Sequence, residues 1–281
     1  MTASAPSPGV TRRPRVAAHR GASSTFPENT LAAFKGAIDA GADAIEFDVH
    51  ATLDGELVVV RDYELARTTN GRGLVHERAW PDIRSLDAGT WFGSRFAGER
   101  VPRVKDVLSL PIGAFELEVK GLPTPALVDA VCQAIAASGR GGSVQVTGYD
   151  HLVVHEIKRR MPDLQAGYFA PTREPWMSDR LYRQVIERSA TFGGFDVVHA
   201  RLPHLRALDV GSLHSMGLLV HAGDVNGADQ VLEAAALGAD HFTTNDPAAA
   251  LRLFGRASWN GMSATPGGRR PVPPTGDTVV P

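Results

Sequence analysis

Residues 218–253 read LLVHAGDVNGADQVLEAAALGADHFTTNDPAAALRL. The run 218–221 is short, apolar and β-type, and it is followed by a Gly-Asp-Val-Asn-Gly turn and a helical pattern over 229–237. The run 241–243 repeats the scheme, with Asn245-Asp246 ahead of a helical pattern over 247–253. Three or four apolar residues, a turn and then a 3.6-residue period define a βα unit. Working outward, strands are expected over 16–18, 44–49, 112–119, 143–146, 164–169 and 195–198, and helices over 30–40, 125–137, 151–160, 180–188 and 205–216. Eight strand runs over about 240 residues predict an α/β fold, a closed parallel (β/α)8 TIM barrel, because an open doubly wound sheet has fewer strands and a Gly-rich first turn. Residues 54–107 are too long for one βα connection, so an insertion is expected after the second strand, over the C-terminal mouth.

The 281 residues carry 43% hydrophobic and 21% charged side chains, an ordinary globular mixture able to bury a core. Residues 1–14 and 256–281 are expected to be disordered tails around a domain over 15–255, and Arg12, Arg13 and Arg15 are expected to be solvated. The net charge of −2 offers no long-range attraction to nucleic acid or to an anionic membrane. No run is long enough to span a membrane, and no apolar surface for docking on one is legible. The single cysteine, Cys132, rules out an internal disulfide, fits a reducing compartment and is expected to be buried. With no secretory signal in 1–16, a cytoplasmic location is expected.

The chemistry-bearing residues sit at strand ends. His19-Arg20-Gly21 closes the first strand, pairing a proton-transfer group with a planar fork for phosphate oxygens. In the second strand, Glu46, Asp48 and His50 share one face by the period of two, leaving Phe47 and Val49 to pack against helices. Two inward carboxylates need a cation between them, and hard oxygen ligands suit Mg²⁺ or Ca²⁺. Glu116, Glu118 and Lys120 alternate in the same way on the third strand, where Glu118 can complete a metal site and Lys120 can meet a phosphate. Three strands converging on one mouth read as metal-assisted attack on a small-molecule phosphodiester, with no nucleic acid and no stably inserted membrane segment.

The order of these motifs resembles the glycerophosphodiester phosphodiesterase family: His19-Arg20-Gly21-Ala22 with Pro27-Glu28-Asn29-Thr30, then Glu46-Phe47-Asp48-Val49-His50, Arg67-Thr68-Thr69-Asn70-Gly71 and Leu86-Asp87-Ala88-Gly89. Further matches are Phe96-Ala97-Gly98-Glu99, Glu118-Val119-Lys120, Val225-Asn226 and Gly238-Ala239-Asp240. The resemblance implies Glu46, Asp48 and Glu118 as ligands of one divalent cation. It implies His19 as an acid/base and Arg20 and Lys120 as phosphate contacts, in hydrolysis to sn-glycerol 3-phosphate and an alcohol.

Three positions depart from the family pattern. Arg61, before Asp62, stands where the family has a second catalytic His, and a guanidinium does not give up its proton at physiological pH. Gly223-Asp224 replaces a Trp-Thr that walls the pocket, and Glu116 is an added carboxylate expected to pair with Arg61. A shifted acid such as His50, a near-dead phosphodiester- or glycerophosphate-binding relative, and a phospholipase-type barrel acting on lipid headgroups are the alternatives. His151 and His155 are expected on a solvated outer face, His221 either at the mouth or beneath it, and Trp80, Trp91 and Phe92 in a small core of the insertion.

Overall fold

The computed structural model describes residues 13–255, and the expectations for 1–12 and 256–281 lie outside the described residues. The chain runs through β1 (Arg15–His19), α1 (Leu31–Asp39), β2 (Ala44–Ala51), β3 (Leu57–Val59), α2 (Trp80–Ile83), α3 (Val104–Leu108) and β4 (Ala114–Val119). It continues through α4 (Pro125–Ser138), β5 (Val144–Gly148), α5 (His151–Arg160), β6 (Gln165–Phe169), α6 (Asp179–Phe192) and β7 (Val197–Arg201). The last elements are α7 (Leu202–Leu205), α8 (Val210–Ser215), β8 (Leu219–Gly223), α9 (Ala228–Ala236), β9 (His241–Thr244) and α10 (Pro247–Leu253). Eight strands are parallel in the order β1-β9-β8-β7-β6-β5-β4-β2, and β1 pairs with β2 to close the ring. The expected TIM barrel is therefore the observed fold.

Side chains pointing outward from the strands form the core between barrel and helices. Phe47 meets Phe34 of α1 and Phe115 of β4 edge-on, at centroid distances of 6.2 and 6.3 Å. Helix starts are set by polar caps at the mouth. Thr30, Thr124, Asp150, Ser178, Asp209 and Asp246 each accept a hydrogen bond from a first-turn backbone N–H, which satisfies donors that no helix can satisfy itself.

Several boundaries differ from expectation. In place of one helix over 205–216, α7 ends at Leu205 and α8 starts at Val210, because Asp209 caps a new start by accepting from Ser212 N at 3.0 Å. The run 112–119 begins its strand at Ala114. β1 ends at His19, opposite Glu46, so the rest of β2 would be an open edge, and β3 covers it in antiparallel pairing with Val59 opposite Val49. Arg13 and Arg15 are buried rather than solvated: Arg13 Nη1 lies 2.5 Å from Asp43 Oδ2, and Arg15 points into the barrel. Cys132 is only partly buried.

The insertion has its own small core of Val58, Val60, Leu65, Val75, Ile83, Ala88 and Val101, with Trp80 packed against it. Trp91 and Phe92 are not part of it. They extend an aromatic chain through Phe96 to Phe26, which ties the insertion to the loop before α1. Asp87 holds that segment by accepting from the backbone N–H groups of Gly89, Thr90 and Gly98, and these bonds hold its carboxyl well below the usual range. No helix among the described residues is long and apolar enough to cross a membrane.

Candidate functional site

A cavity of about 540 Å³ opens at the C-terminal end of the barrel. Its lining includes His19, Arg20, Glu46, Glu118, Lys120 and Arg61. Glu46, Asp48 and Glu118 are buried and offer carboxylate oxygens all within 4.8 Å of one another. The register produces this: Glu46 lies opposite Glu116, and Asp48 opposite Glu118, on adjacent parallel strands.

Burial and mutual repulsion raise the Glu46 pKa well above the ordinary carboxylate value. The Glu118 pKa is also raised, by burial first, although Lys120 opposes the shift. Glu46 Oε1 is buried with no hydrogen-bond partner. Three crowded carboxylates with an orphaned oxygen are the donor set of a hard divalent cation, so these residues fit such an ion. The neighbouring cations are Lys120, whose Nζ contacts Glu118 and lies 3.4 Å from Asp48 Oδ1, and Arg20, whose Nε is 3.2 Å from Asp48 Oδ2.

Among the described residues, the three non-glycine positions with left-handed backbone are Arg20 (φ 56°), Asn29 (φ 59°) and Asp224 (φ 50°), all at this mouth. Such conformations cost energy and persist where surrounding bonds fix them. Arg20 N donates to Glu46 Oε2 at 2.8 Å, and Asn29 Nδ2 donates to Asp48 Oδ2 at 2.8 Å. Glu28 accepts from Arg20 and Arg67, linking the first loop to the insertion. Gly21 has φ +83°, and a Cβ there would lie 2.5 Å from the Ala33 carbonyl carbon.

His19 is held at both ring nitrogens. Its Nδ1 lies 2.7 Å from Asn245 Oδ1, and its Nε2 faces the cavity 3.4 Å from Asp224 Oδ1. Arg61 reaches the cavity with its guanidinium 2.9 Å from Asp62 and its side chain 46% exposed. It does not meet Glu116. That carboxylate lies a full pleat deeper than Glu118 and is bound by Arg15 Nη2 at 2.5 Å, with His221 Nδ1 at 3.5 Å. Glu116, His221 and His241 form a second cluster with metal-ligand spacing, but the Arg15 guanidinium fills it, lying also 3.2 Å from His241 Nδ1.

His50 is not brought to the cavity. β3 covers it, its ring meets Tyr63 edge-on at 4.9 Å, and its Nε2 lies 3.1 Å from the Arg61 carbonyl oxygen. That oxygen can only accept, so Nε2 carries the proton of a neutral ring, and burial lowers the pKa of His50. His151 also departs from expectation: it lines the cavity and packs on Tyr168 at 4.5 Å, whereas His155 faces outward and contacts the Gly193 carbonyl. His221 lines the cavity floor, stacked on His199 at 4.2 Å.

Asn29, Asn245 and Asp224 had no role assigned from sequence. Asn29 lies inside the quoted Pro27-Glu28-Asn29-Thr30 motif, and Asn245 directly follows the last strand, the two signals that point to them. Nothing in the sequence pairs His19 with a residue 226 positions away.

Fold and site together define a barrel hydrolase with an acidic cation-type cluster, a histidine and two phosphate-suited cations at its mouth. The family model described as the glycerophosphoryl diester phosphodiesterase family matches residues 19–249. The chain belongs to this family and is accordingly a phosphoric diester hydrolase. It is 40% identical over 169 residues to a glycerophosphodiester phosphodiesterase of Caldanaerobacter subterraneus, covering 57% of this chain and 69% of that protein. It is 32% identical over 237 residues to a putative glycerophosphodiester phosphodiesterase of Bacillus subtilis, covering 83% and 94%. Among solved structures, a putative glycerophosphoryl diester phosphodiesterase from Silicibacter pomeroyi superposes with a TM-score of 0.75 at 27% identity, covering 86% of this chain and 93% of that one. An Oleispira antarctica phosphodiesterase solved with its product sn-glycerol-3-phosphate shares the fold, with a TM-score of 0.74 at 22% identity and coverage of 86% and 96%.

Proposed function

We propose that this chain hydrolyses glycerophosphodiesters to sn-glycerol 3-phosphate and an alcohol in a reaction that depends on a divalent cation. The observation that carries the reading is the convergence of Glu46, Asp48 and Glu118 beside His19, Arg20 and Lys120 in one cavity. The three carboxylates would hold Mg²⁺ or Ca²⁺, which when bound supplies positive charge against the phosphate oxygens.

Arg20 and Lys120 contact the phosphate. Arg20 presents a planar fork and Lys120 a point charge. His19 moves a proton at Nε2, because Nδ1 is committed to the acceptor Asn245 Oδ1. Arg61 stabilises charge developing on the phosphoryl group and transfers no proton, so alkoxide leaving groups depart slowly. Released sn-glycerol 3-phosphate, measured with glycerophosphocholine and millimolar Mg²⁺ or Ca²⁺, tests the reading. Metal-dependent release that EDTA abolishes is expected, and no release with either ion at micromolar enzyme would leave a binding protein in its place.

A further inference from the structure

The motif Arg67-Thr68-Thr69-Asn70-Gly71 has no part in the reaction above, and none of its residues lines the cavity. Its local bonds serve one side chain. Leu65 is buried in the small core of the insertion, and Thr69 Oγ1 donates to Leu65 O at 2.7 Å while accepting from Gly71 N at 3.0 Å. Asn70 exchanges hydrogen bonds with Asp87 at 2.8 and 3.0 Å. These bonds fix the backbone around Arg67, whose side chain is 43% exposed and leaves the insertion for the loop before α1.

Arg67 commits its guanidinium to two carboxylates. Nη1 and Nη2 donate to Glu28 Oε2 and Oε1 at 3.0 and 2.7 Å, and Nε donates to Asp62 Oδ2. Each carboxylate also holds a cation of the cavity: Glu28 Oε1 accepts from Arg20 Nη1 at 3.1 Å, and Asp62 Oδ1 from Arg61 Nη1 at 2.9 Å. Burial pushes both carboxyls up, but the bonds from Arg67, with help from Arg20 and Arg61, outweigh it and hold them below the usual carboxylate range. We propose that Arg67 is a positioning residue for the phosphate cations: by gripping Glu28 and Asp62 at once, it sets where Arg20 and Arg61 stand at the cavity. The proposal deepens the function given above and rests on it for the reaction.

Charge explains why one guanidinium serves both. Arg20 and Arg61 line the same cavity and repel each other, and among the described residues Asp62 is the one side-chain partner of Arg61. A single exposed ion pair holds a long side chain poorly, whereas a network with a bidentate member fixes it. Without Arg67, Glu28 and Asp62 would keep only Arg20 and Arg61 as counter-charges and draw them off the phosphate. A lysine could not replace it, because one ammonium cannot take both oxygens of Glu28 and the near oxygen of Asp62 as the fixed fork of a guanidinium does. The insertion, which reaches the cavity only with Arg61, thereby acts on Arg20 as well.

The test uses the full chain supplied with Mg²⁺ or Ca²⁺ and glycerophosphocholine as substrate. Arg67→Met keeps the aliphatic stem and should lower kcat/KM by roughly 10- to 100-fold, the scale on which misplaced groups act. Arg67→Lys, which keeps the charge and serves where Arg67→Met does not fold, should recover only part of that loss. A mutant cycle separates positioning from packing. In an Arg61→Ala background one arm has no guanidinium to hold, so Arg67→Met should cost several-fold less there than in the wild type. The same cost in both backgrounds, or full recovery in Arg67→Lys, overturns the proposal.

A binding arm works without turnover. Calorimetric titration with sn-glycerol 3-phosphate in the presence of Mg²⁺ should give a Kd several-fold weaker in Arg67→Met than in the wild type, through the arm to Arg20. Weaker binding in Arg67→Met with no hydrolysis by the wild type would sink the proposed function and leave Arg67 as a positioning residue of the phosphate site. A Kd that Arg67→Met leaves unchanged overturns the proposal, whatever the turnover.

Discussion

In the proposed reaction, Arg61 is the residue expected to limit the departure of alkoxide leaving groups. A guanidinium at the leaving-group side neutralises charge but has no proton to give, while an alkoxide leaves badly unless protonated. Arg61→His is expected to raise the rate on glycerophosphocholine by up to roughly 100-fold and to change far less on a diester with a p-nitrophenol leaving group. Steady-state kinetics on both substrates check this. A fall on both would show dependence on the guanidinium as a charge clamp. Asn245→Ala frees His19 Nδ1 and should lower kcat by roughly tenfold or more with little change in KM, a split that the same kinetics resolve. The carboxylates of this site were legible because side chains two apart on a strand share a face, and the barrel supplies the inward face. Asn245 and Asp224 were not, because their roles arise from closure of β9 onto β1 and from a left-handed residue after β8, neither of which leaves a local pattern. The pairing expected between Glu116 and Arg61 failed for a related reason: charge balance names a partner, and depth in the barrel selects Arg15 instead.

At the scale of elements, the turn from β1 into α1 couples stability to chemistry. Gly21 is left-handed and touches the backbone of Ala33, so no side chain fits without moving α1. Gly21→Ala should cost roughly 2–4 kcal/mol, read as a lower urea midpoint at unchanged slope. Because Arg20 N donates to Glu46, divalent affinity should weaken with it. Alternation of apolar runs and helical periods made the eight parallel strands legible. The antiparallel strand β3, the late start of α8 and the burial of Arg13 were not, since each is set by a tertiary or capping partner: the open edge of β2, the Asp209 cap and Asp43. The insertion was expected over the mouth, yet of residues 54–107 only Arg61 lines the cavity. Part of the remainder packs on its own small core, and Leu57, Val59, Val104 and Val107 join the main core, a division that periodicity alone does not place.

Across the whole molecule, the barrel interior sets how stability follows pH. His199 and His221 are fully buried, and burial, reinforced by Arg15 and, for His199, by His221, pushes both pKa values well below 6.5. A histidine with a depressed native pKa binds protons first in the unfolded state. The contribution of these two histidines to stability is therefore full above about pH 6.5 and falls as pH drops below it. The denaturant midpoint of the wild type should therefore fall relative to that of His199→Gln as pH drops from 7.5 to 5, a comparison in which the contribution of the carboxylates cancels. Glu28 does not contribute there, because its lowered pKa matters only below the ordinary carboxylate range.

The acidic cluster has the opposite sign. With their pKa values raised, Glu46 and Glu118 destabilise the ion-free protein above about pH 4.5, the ordinary carboxylate value, and a bound cation removes that cost. A ligand of the native state at about 100 times its Kd adds roughly 2.7 kcal/mol. For a chain of this size that corresponds to a Tm rise of roughly 5–10 °C. The most direct measurement is thermal melting at pH 7.5 with and without millimolar Mg²⁺ or Ca²⁺, in the wild type and in Glu46→Gln, Asp48→Asn and Glu118→Gln. A rise in the wild type that each variant abolishes is predicted, and a wild-type Tm unmoved by either ion would contradict the assignment of Glu46, Asp48 and Glu118 as the cation site.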